Sequence, residues 1–189
     1  MITAFEEAAA KAQHRQRGTA LHCGTPQAVV GGASAGGNLS AALTLKARNE
    51  RGPALAFQLL IVPSTDMSNS NDRETGDNVG LILKANHMRK MLDAYTPDPA
   101  MRLSPYASPL LAEDHSGLPP AYIITAQFDP LRDQGEALGE KLAAAGVPTT
   151  VRRYPGVLHG FLGTPDIFSE AIAEAAAEMK RALHDTSSP

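Results

Sequence analysis

The 189-residue chain carries 17 Lys and Arg against 20 Asp and Glu, a formal net charge of -3 that offers no basic excess for nucleic acid. Hydrophobic residues at 43% and charged residues at 20% are ordinary for a globular domain long enough to bury a core. The single cysteine, Cys23, excludes an internal disulfide and a thiolate metal cluster, and no apolar run approaches the ~18 residues that cross a bilayer.

Residues 2–16 are rich in alanine and charge and are closed by Gly18, as a helix would be. With Glu6, Glu7, Lys11, Arg15 and Arg17 in the first 17 positions, they do not resemble a signal peptide, so a cytoplasmic location is expected. A strand is expected over 26–31, leading into Gly32-Ala33-Ser34-Ala35-Gly36. This fits G-x-S-x-G, in which a serine sits on a sharp turn between a strand and a helix. A Cβ at position 32 or 36 is expected to collide with the neighbouring strand or helix, and the Ala35 amide to face a developing oxyanion. Leu39, Leu43 and Ala47 recur at i, i+4 and i+8 in a helix from Ala35 to about Asn49, stopped by Gly52-Pro53. Residues 54–62 are almost continuously apolar, the pattern of a strand buried on both faces of a parallel sheet.

Residues 63–120 read as a loop-rich insertion, either a lid or pocket wall or a plain surface excursion. It holds a helix over Leu81 to Tyr95 and an irregular stretch marked by Pro97, Pro99, Pro105 and Pro109. A third strand follows at 121–127, then a helix from Leu131 to Ala145 with Leu131, Leu138, Leu142 and Ala145 on one face. Thr149 to Tyr154 makes a fourth strand. Thr164-Pro165 starts a last helix to about Leu183, with Phe168, Ile172, Ala175, Met179 and Leu183 on its apolar face. Strands alternating with helices imply a mostly parallel α/β sheet of about four strands in a single domain over 1–189.

A serine hydroxyl needs a base, normally an oriented histidine. Of the six histidines, His159 is the candidate, because it lies in a loop after the fourth strand, at the carboxyl edge where ligands of open parallel sheets sit. The orienting acid is Asp129, directly after the third strand, with Asp133 and Asp66 as alternatives. Leu81, Leu83 and Phe161 are candidates for an apolar acyl pocket.

Three blocks carry a family resemblance. Gly32-Ala33-Ser34-Ala35-Gly36-Gly37-Asn38-Leu39 resembles the GDSAGGNL block of bacterial esterases of the hormone-sensitive lipase family. Asp129-Pro130-Leu131-Arg132-Asp133 is similar to that family's DPLRD block, whose first Asp belongs to the triad, and His159-Gly160-Phe161 resembles its HGF block. The resemblance implies an α/β-hydrolase fold and a carboxylesterase that cleaves short-chain acyl esters through an acyl-enzyme, with no cofactor and no metal. Ala33 stands where the family has Asp. The family's HGGG run, which supplies oxyanion amides, is absent from these residues. The fold is therefore expected to be truncated, resembling the C-terminal part of such an enzyme, with an incomplete oxyanion hole and homo-oligomerisation through an uncovered edge near residues 2–31. Two rival readings remain at this stage: a residual hydrolase fragment acting as an oligomeric or binding module, and another serine hydrolase such as a peptidase or thioesterase.

Overall fold

The computed structural model describes residues 28–68, 83–161 and 165–185. The expected helix over 2–16 lies outside them. Four parallel strands in the order β1-β2-β3-β4 form one sheet: β1 Ala28–Ala33, β2 Leu55–Ile61, β3 Ala121–Phe128 and β4 Thr149–Leu158. Parallel neighbours need crossovers, and helices α1 (Ala35–Asn49) and α3 (Arg132–Ala144) supply two of them. Between β2 and β3 the chain makes α2 (Ala85–Tyr95) and short 3-10 turns at Pro99–Leu103 and Pro109–Leu111. Helix α4 (Pro165–Asp185) closes the described part. No helix of the described residues is long and apolar enough to cross a membrane.

The period-2 alternation of β3 splits the core. Tyr122, Ile124 and Ala126 join Phe57, Tyr154, Ala171 and Ala175 on the α4 side. Ala121 and Ile123 join Leu45, Leu60, Leu138 and Leu142 on the α1 and α3 side. Both faces of β3 are covered, which explains a strand whose first six residues are all buried. On the α4 side the hydroxyls of Tyr122 and Tyr154 both donate to Glu174 Oε2, at 2.9 and 2.8 Å, pinning α4 to two strands. Burial first, and then this hydrogen bond, pushes the Tyr154 phenol up to about 12.

Two helix faces differ from the sequence expectation. In α1 the buried side is Asn38, Ala41, Ala42, Thr44, Leu45 and Ala47, whereas Leu39 is exposed. The cause is close approach. A Cβ on Gly32 would lie 2.5 Å from the Gly36 carbonyl carbon, so the start of the helix sits close against its own strand, and the larger Leu45 is buried only further along. A Cβ on Gly36 itself would meet nothing within 4 Å, so the expected collision holds at position 32 and not at 36. In α4, Ala171 and Ala175 are buried and Ile172 is exposed, because the face turned to the sheet runs through Ile167, Ala171, Ala175, Met179 and Ala182. Strand β4 also runs four residues past Tyr154, through Pro155-Gly156, to pair Leu158 with Phe128. Helix α2 starts at Ala85 rather than Leu81, which lies outside the described residues.

Candidate active site

Because all four strands run the same way, Ser34 after β1, Asp129 after β3 and His159 after β4 emerge at one edge of the sheet. Ser34 has φ 55° and ψ -116°, a left-handed conformation that costs a side-chain-bearing residue of order 1–3 kcal/mol. The turn is held by the Ser34 amide, which donates to the Ile61 carbonyl at 2.8 Å, and by the Ser34 carbonyl, which accepts from Asn38 at 3.1 Å.

Asp129 is fully buried. One carboxylate oxygen, Oδ1, accepts the Leu131 amide at 2.8 Å, and the other, Oδ2, accepts His159 Nδ1 at 2.8 Å. An ionised carboxylate only accepts, so Nδ1 carries the proton and Nε2 is left as the acceptor. Nε2 lies 3.0 Å from Ser34 Oγ, whose hydroxyl donates to it. A hydroxyl, an imidazole of fixed tautomer and a buried carboxylate thus form one continuous hydrogen-bonded line, the arrangement that removes a proton from an attacking oxygen.

The alternative acids are engaged elsewhere. Asp66 Oδ1 accepts the Ser68 amide and hydroxyl at 2.8 and 2.6 Å, and Asp133 pairs with Arg132 Nε at 2.7 Å. Among the other histidines, His87 is exposed on α2, and His115 is buried with Nε2 donating to the Pro109 carbonyl at 3.0 Å. Burial holds the His115 imidazole below its usual range.

A cavity of about 210 Å³ opens beside Ser34. Ser34, Ala35, Asn38 and Leu39 line it from the elbow, Ser64 and Met67 from the loop after β2, and Leu131 from the start of α3. Its remaining wall is Leu83, Met88, Met91, Leu92 and Tyr95. The Ala35 amide is the first N–H of α1, in the turn where no intrahelical carbonyl is available to it. Leu83 lines this cavity, whereas Phe161 is packed in the core with its ring centroid 5.4 Å from that of Tyr154. The sequence reading places this helix only within a lid or pocket wall or a surface excursion and does not name Met88, Met91, Leu92 and Tyr95, although they stand at i, i+3, i+4 and i+7, one helical stripe.

Two carboxamides brace the loop after β2, a role with no sequence signal, since their partners are distant main-chain groups. Asn38 Nδ2 donates to the carbonyls of Ser64 and Ala107, at 2.7 and 2.8 Å. Gln134 Oε1 accepts the amides of Thr65 and Asp66, at 2.7 and 2.6 Å. Among the described residues no group of three or more His, Cys, Asp or Glu side chains is placed to hold a metal ion.

A family model described as alpha/beta hydrolase fold matches residues 2–163. Carboxylesterase NlhH of Mycobacterium tuberculosis is 39% identical over 163 residues, which is 82% of this chain and 50% of that protein. An arylesterase of Saccharolobus solfataricus is 41% identical over 140 residues, 71% of this chain and 44% of its own length. Among solved structures, carboxyl esterase 2 of the fungus Tuber melanosporum matches with a TM-score of 0.80 at 31% identity, covering 92% of this chain and 59% of that one. A thermostable esterase from Pseudomonas putida matches with a TM-score of 0.76 at 42% identity, covering 82% and 51%. The chain spans about half the length of the curated relatives it matches.

Proposed function

This chain belongs to the alpha/beta hydrolase fold family, and from that premise we propose that it is a serine carboxylesterase of the hormone-sensitive lipase type, acting on short-chain acyl esters. The observation that carries the reading is the line Ser34 Oγ–His159 Nε2–Asp129 Oδ2, with separations of 3.0 and 2.8 Å. Ser34 Oγ attacks the ester carbonyl while His159 Nε2 takes its proton. His159 then passes that proton to the departing alkoxide, so the alcohol leaves and the acyl group stays on Ser34. Water attacks the acyl-enzyme with His159 again as base, which frees the acid and returns the proton to Ser34. Asp129 holds the ring in the required tautomer and stabilises the imidazolium formed in each half-reaction.

The oxyanion is assigned to the Ala35 amide. These residues contain no HGGG run, and a missing oxyanion donor costs ~2.7–4 kcal/mol, or about 10²–10³ in kcat. With the Ala35 amide as the assigned donor, these residues by themselves are expected to act weakly and best on activated aryl esters. Acyl chains from acetyl to hexanoyl are the proposed range, with Leu83 and the α2 stripe as the apolar wall beside Ser34. The test is hydrolysis of p-nitrophenyl acetate by the protein and by Ser34→Ala, with fluorophosphonate labelling of Ser34. Hydrolysis that survives Ser34→Ala would overturn the nucleophile assignment, and a preference for amides over esters would favour a peptidase.

The same reading includes self-association. Among the described residues β1 has a strand partner on one side only, and Val29 is 36% exposed, so its free edge can pair with another chain. Light scattering across a dilution series is expected to show dimers or larger species. A monomer at micromolar concentration would remove this part of the proposal.

A further inference from the structure

The register of β3 against β4 changes just before the site. From Ala121↔Thr149 to Ala126↔Tyr154 the strands advance residue for residue, and the next pair is Phe128↔Leu158. Two steps along β3 thus answer to four along β4. With an unbroken ladder Phe128 would face Gly156, and the neighbour of Asp129 would be Val157. His159 would then stand two residues further on, about 6.6 Å away at ~3.3 Å per residue. The bulge at Pro155-Gly156-Val157 takes up that length and sets His159 level with Asp129, where Nδ1 lies 2.8 Å from Oδ2.

Gln127 is the β3 residue opposite the bulge. Its side-chain Oε1 accepts the Gly156 amide at 2.7 Å, and Gly156 has φ 71°, the conformation that turns this N–H off the ladder. Its main-chain carbonyl accepts Arg132 Nη1 at 2.8 Å, tying the same residue to the first turn of α3, three residues after Asp129. Gln127 is therefore bonded to both segments that must meet, the bulge that carries His159 and the turn that carries Asp129.

We propose that Gln127 is a positioning residue for the Ser34–His159–Asp129 line, setting His159 against Asp129 by pinning the β4 bulge. The inference rests on the esterase reading and adds to it a residue that touches neither substrate nor the reacting atoms. Without the Oε1 acceptor the Gly156 amide turns to solvent and the bulge loosens, so His159 samples positions in which one of its two bonds is broken. Misplacement of this kind lowers turnover more than binding.

Gln127→Met keeps side-chain length and removes the strong acceptor, Gln127→Ala does so with less bulk, and Gln127→Glu restores an oxygen that can accept the same N–H. With p-nitrophenyl acetate, Met and Ala are expected to lower kcat about tenfold with KM within twofold, and Glu to recover most of the loss. A readout without turnover is the far-downfield proton resonance of His159 Nδ1–H held by Asp129, expected in the wild type and in Gln127→Glu and broadened or lost in the other two. Unchanged kcat and resonance in Gln127→Met and Gln127→Ala would overturn the proposal, as would a Glu variant no better than Met. A wild type that neither hydrolyses the ester nor shows the resonance would instead bring down the esterase reading, and this inference with it.

Discussion

On one side of the cavity Ser34, Asp129 and His159 stand at the ends of β1, β3 and β4, their positions set by strand register and main-chain hydrogen bonds. On the other side α2 offers Met88, Met91, Leu92 and Tyr95, with Met91 and Tyr95 more than half exposed. The first region spends polar contacts on a geometry that tolerates little error. The second is apolar surface in which two of the four side chains are methionines, whose unbranched chains can shift to suit what lies against them. Chemistry and substrate choice should therefore respond separately to mutation.

The largest effects belong to the strand ends. Ser34→Ala and His159→Ala are expected to reduce ester hydrolysis to background, and Asp129→Asn to cost about 10⁴-fold in kcat, as in the general serine-protease case. Asp66→Asn should leave kcat within a few-fold. These losses should be the same for acetyl and hexanoyl esters; a triad variant that changed the ratio of the two would break the comparison.

The wall should act on that ratio. Met91→Ala shortens the stripe at the cavity mouth and is expected to lower the hexanoyl-to-acetyl ratio of kcat/KM by up to about tenfold, with kcat on acetyl esters little changed. Equal losses on both esters would mean that α2 helps to hold the reacting groups, against the division drawn here.

The smallest effect is a pH dependence between the two regions. His115 anchors the Pro109 turn, and the next residue, Leu110, donates its amide to the Thr65 carbonyl in the loop that walls the site. Burial holds the His115 imidazole below its usual range in the fold, so the unfolded chain takes up a proton at a pH where the folded chain does not. Its contribution is whole above about pH 6.5 and is lost as pH falls from there toward the depressed folded value. His115→Gln, which can still donate to Pro109, is expected to flatten the fall in melting temperature on acidification. An unchanged slope would assign it to other groups.

The sequence carried the proposed reacting groups and much less of what holds them. Ser34, Asp129 and His159 were legible because each sits in a short local pattern at a strand end. The face of α1 was misread because Leu39 is the larger residue, while close approach at Gly32 puts alanine and asparagine inward. Pro155-Gly156 looked like the end of a strand, since a proline has no N–H for a ladder and a glycine breaks side-chain packing. That reading hid the bulge. Gln127 and Gln134 gave no signal, and Asn38 appeared only as one letter of the nucleophile block, because a carboxamide that bonds a remote main-chain group leaves no periodicity behind.

The conformation of Ser34 bears on whether the site is maintained or merely inherited. At φ 55° a glycine would sit with less strain than a serine, so Ser34→Gly should abolish hydrolysis and yet raise the melting temperature. A chain released from catalysis would relieve that strain by giving up its hydroxyl, against the loss of the 3.0 Å hydrogen bond that Ser34 Oγ makes to His159 Nε2. Selection for stability alone and selection for turnover thus favour different residues at one position, and this chain carries the one that turnover requires.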